Sequence, residues 1–160
     1  MWMVHFTVNI SDLTDMVPGL MAKHPSHGWT MASGQPDTRD PILDIYPLAA
    51  SDRKAQVQIG LEIFFLDFAG HRTADFAYTD RDRVEVLEQR LELAARATLG
   101  PTRVTLYRVD GQIVRSTMVI DPDGPDREED TIMTTTGHFV ARLLRRQVLP
   151  EVLDFPAVTA

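Results

Sequence analysis

The chain of 160 residues has 44% hydrophobic and 24% charged residues, the balance of a globular protein rather than a disordered one. Its net charge of −7 argues against nucleic-acid binding, which needs a basic footprint, and the absence of cysteine excludes disulfides, thiolate metal sites and a cysteine nucleophile. No apolar run approaches the ~20 residues of a membrane span, and residues 1–9 lack the basic and apolar regions of a signal peptide, so a single cytoplasmic domain over 1–160 is expected.

Residues 3–9 alternate weakly and suggest a short strand. Leu13, Met16, Val17, Leu20 and Met21 then recur at helical spacing. Ser11 is a candidate N-cap, but it would place Pro18 inside the helix. A start near Asp15 puts Pro18 in the tolerated first turn, so a short or kinked helix ending near His24-Pro25 is predicted. Residues 24–41 read as loop, with a brief strand over 29–32. A strand over 42–47 is closed by Pro47. Val57, Ile59, Leu61, Ile63 and Phe65 alternate with Gln58, Gly60, Glu62 and Phe64, the pattern of one strand with a buried face. Ala69-Gly70-His71 suggests a turn, and residues 73–78 a returning strand.

The clearest element is a long helix over about 82–99, with Val84, Leu87, Leu91, Ala94, Ala95 and Thr98 on its apolar side. Asp82 and Glu85 have capping-box spacing, and Gly100-Pro101 is a stop. Residues 103–120 form a β-hairpin about Asp110-Gly111. Of its two registers, a three-residue loop over 109–111 that pairs Leu106 with Val114 is preferred, because it gathers Val104, Leu106, Val114, Met118 and Ile120 on one side. An acidic loop over 121–131 precedes a C-terminal helix over about 134–149. Phe139, Val140, Leu143, Leu144 and Val148 form the apolar half of that helix, and His138, Arg142, Arg145 and Arg146 the other. Pro150 ends it, leaving a loose tail. The fold class is therefore α+β: an antiparallel sheet with the long helix packed on one face and the C-terminal helix beside it.

Few groupings suggest chemistry. Asp121, Asp123, Asp126, Glu128, Glu129 and Asp130 offer oxygen atoms to a hard cation, but glycine falls fourth in the run and two prolines stiffen it, unlike a calcium loop. A solvated loop accounts for the pattern. His24 and His27 are separated by Pro25, which disfavours the helix that would point both at a metal. His5, His71 and His138 are isolated and read as surface residues. Thr134-Thr135-Thr136-Gly137 could cradle an anion, although ordinary capping explains it as well. There is no nucleophile elbow, phosphate loop, zinc-protease helix or dinucleotide fingerprint. No cofactor or metal and no catalytic residue is therefore expected. Trp29 and Tyr46 stand in segments with little core periodicity and are candidate binding anchors.

The order of a long helix, a β-hairpin and a helix over 83–149 resembles the second half of bacterial secretion-chaperone-like domains, including the YbjN type. The profile of a small, acidic, cysteine-free, arginine-rich α+β chain is also similar to immunity proteins of bacterial polymorphic toxin systems. Both resemblances imply a non-catalytic protein-binding domain. The expected partner is a protein, either a basic toxin that the chain inhibits or a secreted effector that it chaperones, with a homodimer also open. Nucleic acid and membrane are not expected partners. The candidate partner-binding residues are Trp29, Tyr46, Asp121, Asp123, Asp126, Glu128 and Glu129. The alternative from another class is an enzyme or small-ligand sensor with a pocket between the sheet and the 24–53 loops.

Overall fold

The computed structural model describes residues 6–32, 40–133 and 147–159. The fold is α+β. Helix α1 (Ile10–Met21) and strands β1 (His27–Ala32), β2 (Ile42–Pro47), β3 (Ala55–Ile59), β4 (Ile63–Phe68) and β5 (His71–Phe76) precede the long helix α2 (Asp80–Leu99). Strands β6 (Thr102–Val109), β7 (Gln112–Ile120), β8 (Glu128–Met133) and β9 (Leu149–Phe155) follow. They form two antiparallel sheets, one ordered β1-β2-β3-β4-β5 and the other β8-β7-β6-β9.

Residues 6–9 form no strand. Asn9 instead caps α1 in a reciprocal capping box with Asp12, the two bonds measuring 2.8 and 2.9 Å. The helix thus starts five residues before Asp15 and holds Pro18 in its interior. Leu13, Val17 and Met21 are buried from it, and this packing offsets the hydrogen bond that Pro18 cannot donate.

The expected single strand through 57–65 is a hairpin. Val57 and Ile59 are buried, the chain turns through Gly60-Leu61-Glu62, and from Phe64 the buried set shifts by one residue to Phe64, Leu66 and Phe68. Gly60 makes the turn possible, since a Cβ there would lie 2.2 Å from the Ile63 carbonyl oxygen. The second turn, at Ala69 (φ 52°) and Gly70 (φ 88°), has the paired left-handed conformations of a two-residue hairpin loop.

The apolar side of α2 lies against the inner face of this sheet, where Leu43, Ile45, Val57, Ile59, Phe64 and Leu66 meet Val86, Leu87, Leu91 and Ala94. Its N-cap is Thr79, whose hydroxyl accepts the Asp82 N–H at 3.1 Å; Asp82 lies inside the first turn and is not the cap. Asp80, one turn before, accepts the Thr7 and Val8 backbone N–H groups, and buried Arg83 donates to the Val8 carbonyl. Together they fasten the segment before α1 to α2. Gly100 (φ 70°) caps the C-terminus.

The β6–β7 hairpin does not have the preferred three-residue loop. Its loop has two residues, Asp110 (φ 51°) and Gly111 (φ 80°), and Val109 pairs with Gln112. A bulge at Val114 then shifts the pairing, so that Leu106 faces Ser116 and Val104 faces Met118. The bulge achieves what the longer loop was expected to do: Val104, Leu106, Val114, Met118 and Ile120 are all buried.

Residues 128–131, expected in the acidic loop, belong to β8, which pairs with β7. Residues 149–155, expected as the helix end and a loose tail, form β9 along the free edge of β6. Residues 134–146 of the expected C-terminal helix lie outside the described residues, as do its Arg142, Arg145 and Arg146, its His138, and the threonine cluster at its start.

Candidate functional site

With α2 on its inner side, the five-stranded sheet presents an outer face made of alternate residues. In order across the strands these are Gly28, Thr30 and Ala32; Ile42, Asp44 and Tyr46; Gln56 and Gln58; Ile63, Phe65 and Asp67; and Arg72, Ala74 and Phe76. None of them is buried. Phe76 and the adjoining turn residue Leu61 are each 51% exposed. Ile42, Tyr46, Ile63 and Phe65 are half-buried, so the face leaves part of its apolar surface open.

The polar chemistry of this face is acidic. Asp44 and Asp67 stand on the strands, and Asp40 and Glu62 at the end where β3 turns into β4. Against them stands Arg72, while Lys54 precedes β3 at the far end. The Gln56 amide donates to Asp44 at 3.0 Å and the Gln58 amide to Asp40 at 3.3 Å. These neutral donors orient the carboxylates without cancelling their charge. Arg72 is already engaged: its guanidinium lies 4.2 Å from the Phe65 ring centroid, 3.6 Å from Asp67, and donates to Gln58 at 3.4 Å. Burial nevertheless pushes the Asp67 carboxyl above its ordinary pKa, against the pull of Arg72 and His71.

The expected anchors separate. Tyr46 is on the open face, its ring so close to Gly28 that a Cβ there would lie 2.6 Å from it. Trp29 is on the other side, opposite Ile45 and packed against the core. The acidic residues belong to the other sheet. Asp121 accepts the Asp126 N–H at 3.1 Å within its own turn, Glu128 pairs with Arg96 of α2 at 2.6 Å, and Glu129 pairs with Arg127 at 2.9 Å. Asp123 and Asp126 are exposed in the β7–β8 turn. The structure therefore does not bring Trp29, Tyr46 and the acidic loop into one site. Leu61, Ile63 and Phe65 were missed because a single strand through 57–65 would have placed Val57, Ile59, Leu61, Ile63 and Phe65 on one buried face.

His71, read as a surface residue, is fully buried between the sheets. Its Nδ1 lies 2.8 Å from the Ser116 hydroxyl and its Nε2 2.7 Å from an Asp130 carboxylate oxygen. A carboxylate only accepts, so the Nε2 facing Asp130 carries the proton of that bond, while either Nδ1 or the Ser116 hydroxyl can donate in the other. Serine, histidine and aspartate are the members of a nucleophilic triad, but here Ser116 is 4% exposed and the open end is Asp130, whose side chain is 39% exposed. The row presents a carboxylate to solvent and fastens β5 to β7 and β8. The His71 bond, with Thr73 and the charges of His71 and Arg90, holds the Asp130 carboxyl below its ordinary pKa.

His24 and His27 meet edge to face at 6.4 Å, and His27 bonds Thr98 at 3.2 Å. Burial, with His24 nearby, lowers the pKa of His27. Among the described residues no group of three or more His, Asp or Glu side chains is placed to hold a metal ion, and no helix is long and apolar enough to cross a membrane. No protein-family model, curated protein or solved structure matches this chain.

Proposed function

We propose that this chain is a non-catalytic protein-binding domain acting in the cytoplasm as an immunity-type inhibitor of a bacterial toxin, with the open face of the five-stranded sheet as its binding surface. The observation that carries this reading is that face: aromatic and aliphatic side chains left half-exposed among carboxylates that, among the described residues, outnumber the cations. Such a surface suits a basic protein that adds apolar contact to charge complementarity. The outer face of the four-stranded sheet is less open, since Thr117 and Val119 are buried there.

The test is capture of a partner from the source lysate by the tagged full chain, beside the variant Ala74→Lys/Phe76→Lys. Both substituted positions are exposed on the edge strand β5, so the variant keeps its core and cancels the acidic excess of the face. One stoichiometric basic protein bound by the wild type and lost by the variant, whose toxicity is relieved by co-expression of this chain, is the expected result. A secreted effector in its place moves the reading to an effector chaperone. A partner held equally by the variant removes the face from the proposal, and a blank under conditions that express the partner overturns the binding reading.

A further inference from the structure

We infer that the recess where β3 turns into β4 receives one arginine side chain of the basic partner; this rests on the reading of the open face given above. The recess is lined by Asp40, Gly60, Leu61, Glu62, Ile63 and Phe65 and has a volume of about 390 Å³, within the roughly 300–1,000 Å³ of small-molecule sites. Its walls are of two kinds. Leu61, Ile63 and Phe65 offer apolar surface to a methylene stem, and Asp40 and Glu62 offer carboxylates to a cationic head. Gly60 keeps the Asp40 side open, because even a methyl at that position would come within 3.4 Å of the carboxylate.

The same face already holds a guanidinium in this way. Arg72 lies over Phe65, beside Asp67, and donates to Gln58. Phe65 and Gln58 are shared between that arrangement and the recess: Phe65 lines it, and Gln58 donates to Asp40. The recess therefore offers an aromatic ring beside carboxylates, as the arrangement around Arg72 does, with no cation among its described lining residues. Arginine fits this set better than lysine because its planar head can stack on a ring and direct several N–H donors at carboxylates together.

The experiment is an NMR titration of the full ¹⁵N-labelled chain with N-acetyl-arginine methylamide, with the neutral citrulline analogue and the lysine analogue as controls. Saturable shifts centred on Asp40 and residues 60–65 are expected. The citrulline analogue should bind at least ten-fold more weakly, the lysine analogue should fall between, and Asp40→Asn/Glu62→Gln should weaken the arginine probe ten-fold or more. Shifts centred elsewhere, equal binding of the citrulline analogue, or an unaffected double variant with an otherwise unchanged spectrum would overturn the inference. The two proposals fail separately. If the wild type captures a partner that Ala74→Lys/Phe76→Lys loses, while the recess ignores the arginine probe, the face stands and the recess falls. If the recess takes the probe and no partner is captured, the reading of the face falls and a guanidinium site remains.

Discussion

Removing the Ser116 hydroxyl tests whether the contact between the sheets is a specific hydrogen-bonded row or mere packing. In Ser116→Ala the substituted side chain stays small and loses its hydroxyl, so the Nδ1 of a fully buried histidine loses its partner at 2.8 Å. A buried polar atom left without a partner costs about 1–3 kcal/mol. At ~2–4 °C per kcal/mol for a chain of this size, the melting temperature should fall by roughly 2–12 °C. Urea denaturation followed by circular dichroism gives the free energy directly. The decisive comparison is a double-mutant cycle with His71→Phe, which removes the ring nitrogen itself. In that background Ser116→Ala should cost less than about 0.5 kcal/mol, so the coupling carries most of the effect. Asp130 complicates little, since its half-exposed carboxylate can turn to water once the ring is gone. Equal costs of Ser116→Ala in both backgrounds, or a cost below about 0.5 kcal/mol in the wild type, would refute the hydrogen-bonded row.

Three further outcomes follow from the same geometry. The Asp130 carboxyl is held below its ordinary pKa in the folded chain because His71 and Thr73 bond its ionised form; its stabilisation is therefore complete well above the ordinary value and lost as pH falls through the lower folded one. Asp130→Asn should flatten the acid limb of stability below about pH 5, and an unchanged limb would count against the assignment. Gly60→Ala should destabilise by about 1–3 kcal/mol, because its methyl meets a backbone carbonyl. Gly28→Ala should cost less, since the obstacle is the movable Tyr46 ring, and chemical denaturation of the two variants decides the order. Thr79→Ala should cost about 1 kcal/mol through loss of the α2 N-cap; thermal melts should show Asp82→Ala to be milder, and the reverse order would place the cap at Asp82.

Much of the fold can be read from local pattern. The α2 periodicity, the Gly100 stop, the β6–β7 hairpin and the 42–47 strand each rest on a few adjacent residues. Failures came where a distant contact outweighed a local rule. Pro18 lies inside α1 because the capping box at Asn9 and Asp12 fixes the start and three buried side chains hold the rest. The β3–β4 hairpin was hidden because Gly60, Leu61 and Glu62 continue the alternation of the strands they separate. Nothing local distinguishes that glycine from one within a strand until the Ile63 carbonyl is seen against it. Its loss moved Leu61 out of the core and onto the candidate surface. His71 was unreadable for a related reason: its partners Ser116 and Asp130 are 45 and 59 residues away. Of the two aromatics singled out, Tyr46 lies on the outer face opposite Gly28, whereas Trp29, the next residue after Gly28, packs inward opposite Ile45.

The inner and outer faces of the five-stranded sheet also explain each other. An uncovered sheet is useful for binding only if it keeps its shape unbound, since ordering a surface on contact subtracts from affinity. The inner face meets that need. It is fastened along its centre by α2 through Leu87, Leu91 and Ala94, and at its β5 edge by the His71 row to the second sheet. The row reaches β5 from the inner side, so the outer residues of that strand, Arg72, Ala74 and Phe76, remain free of it. Steering and packing then separate experimentally. The four carboxylates should set the rate at which a basic partner arrives and make it fall with salt, while Phe65, Phe76 and Leu61 should set how slowly it leaves. Ala74→Lys should therefore slow association and weaken its salt dependence, and Leu61→Ala should speed dissociation and leave that dependence unchanged.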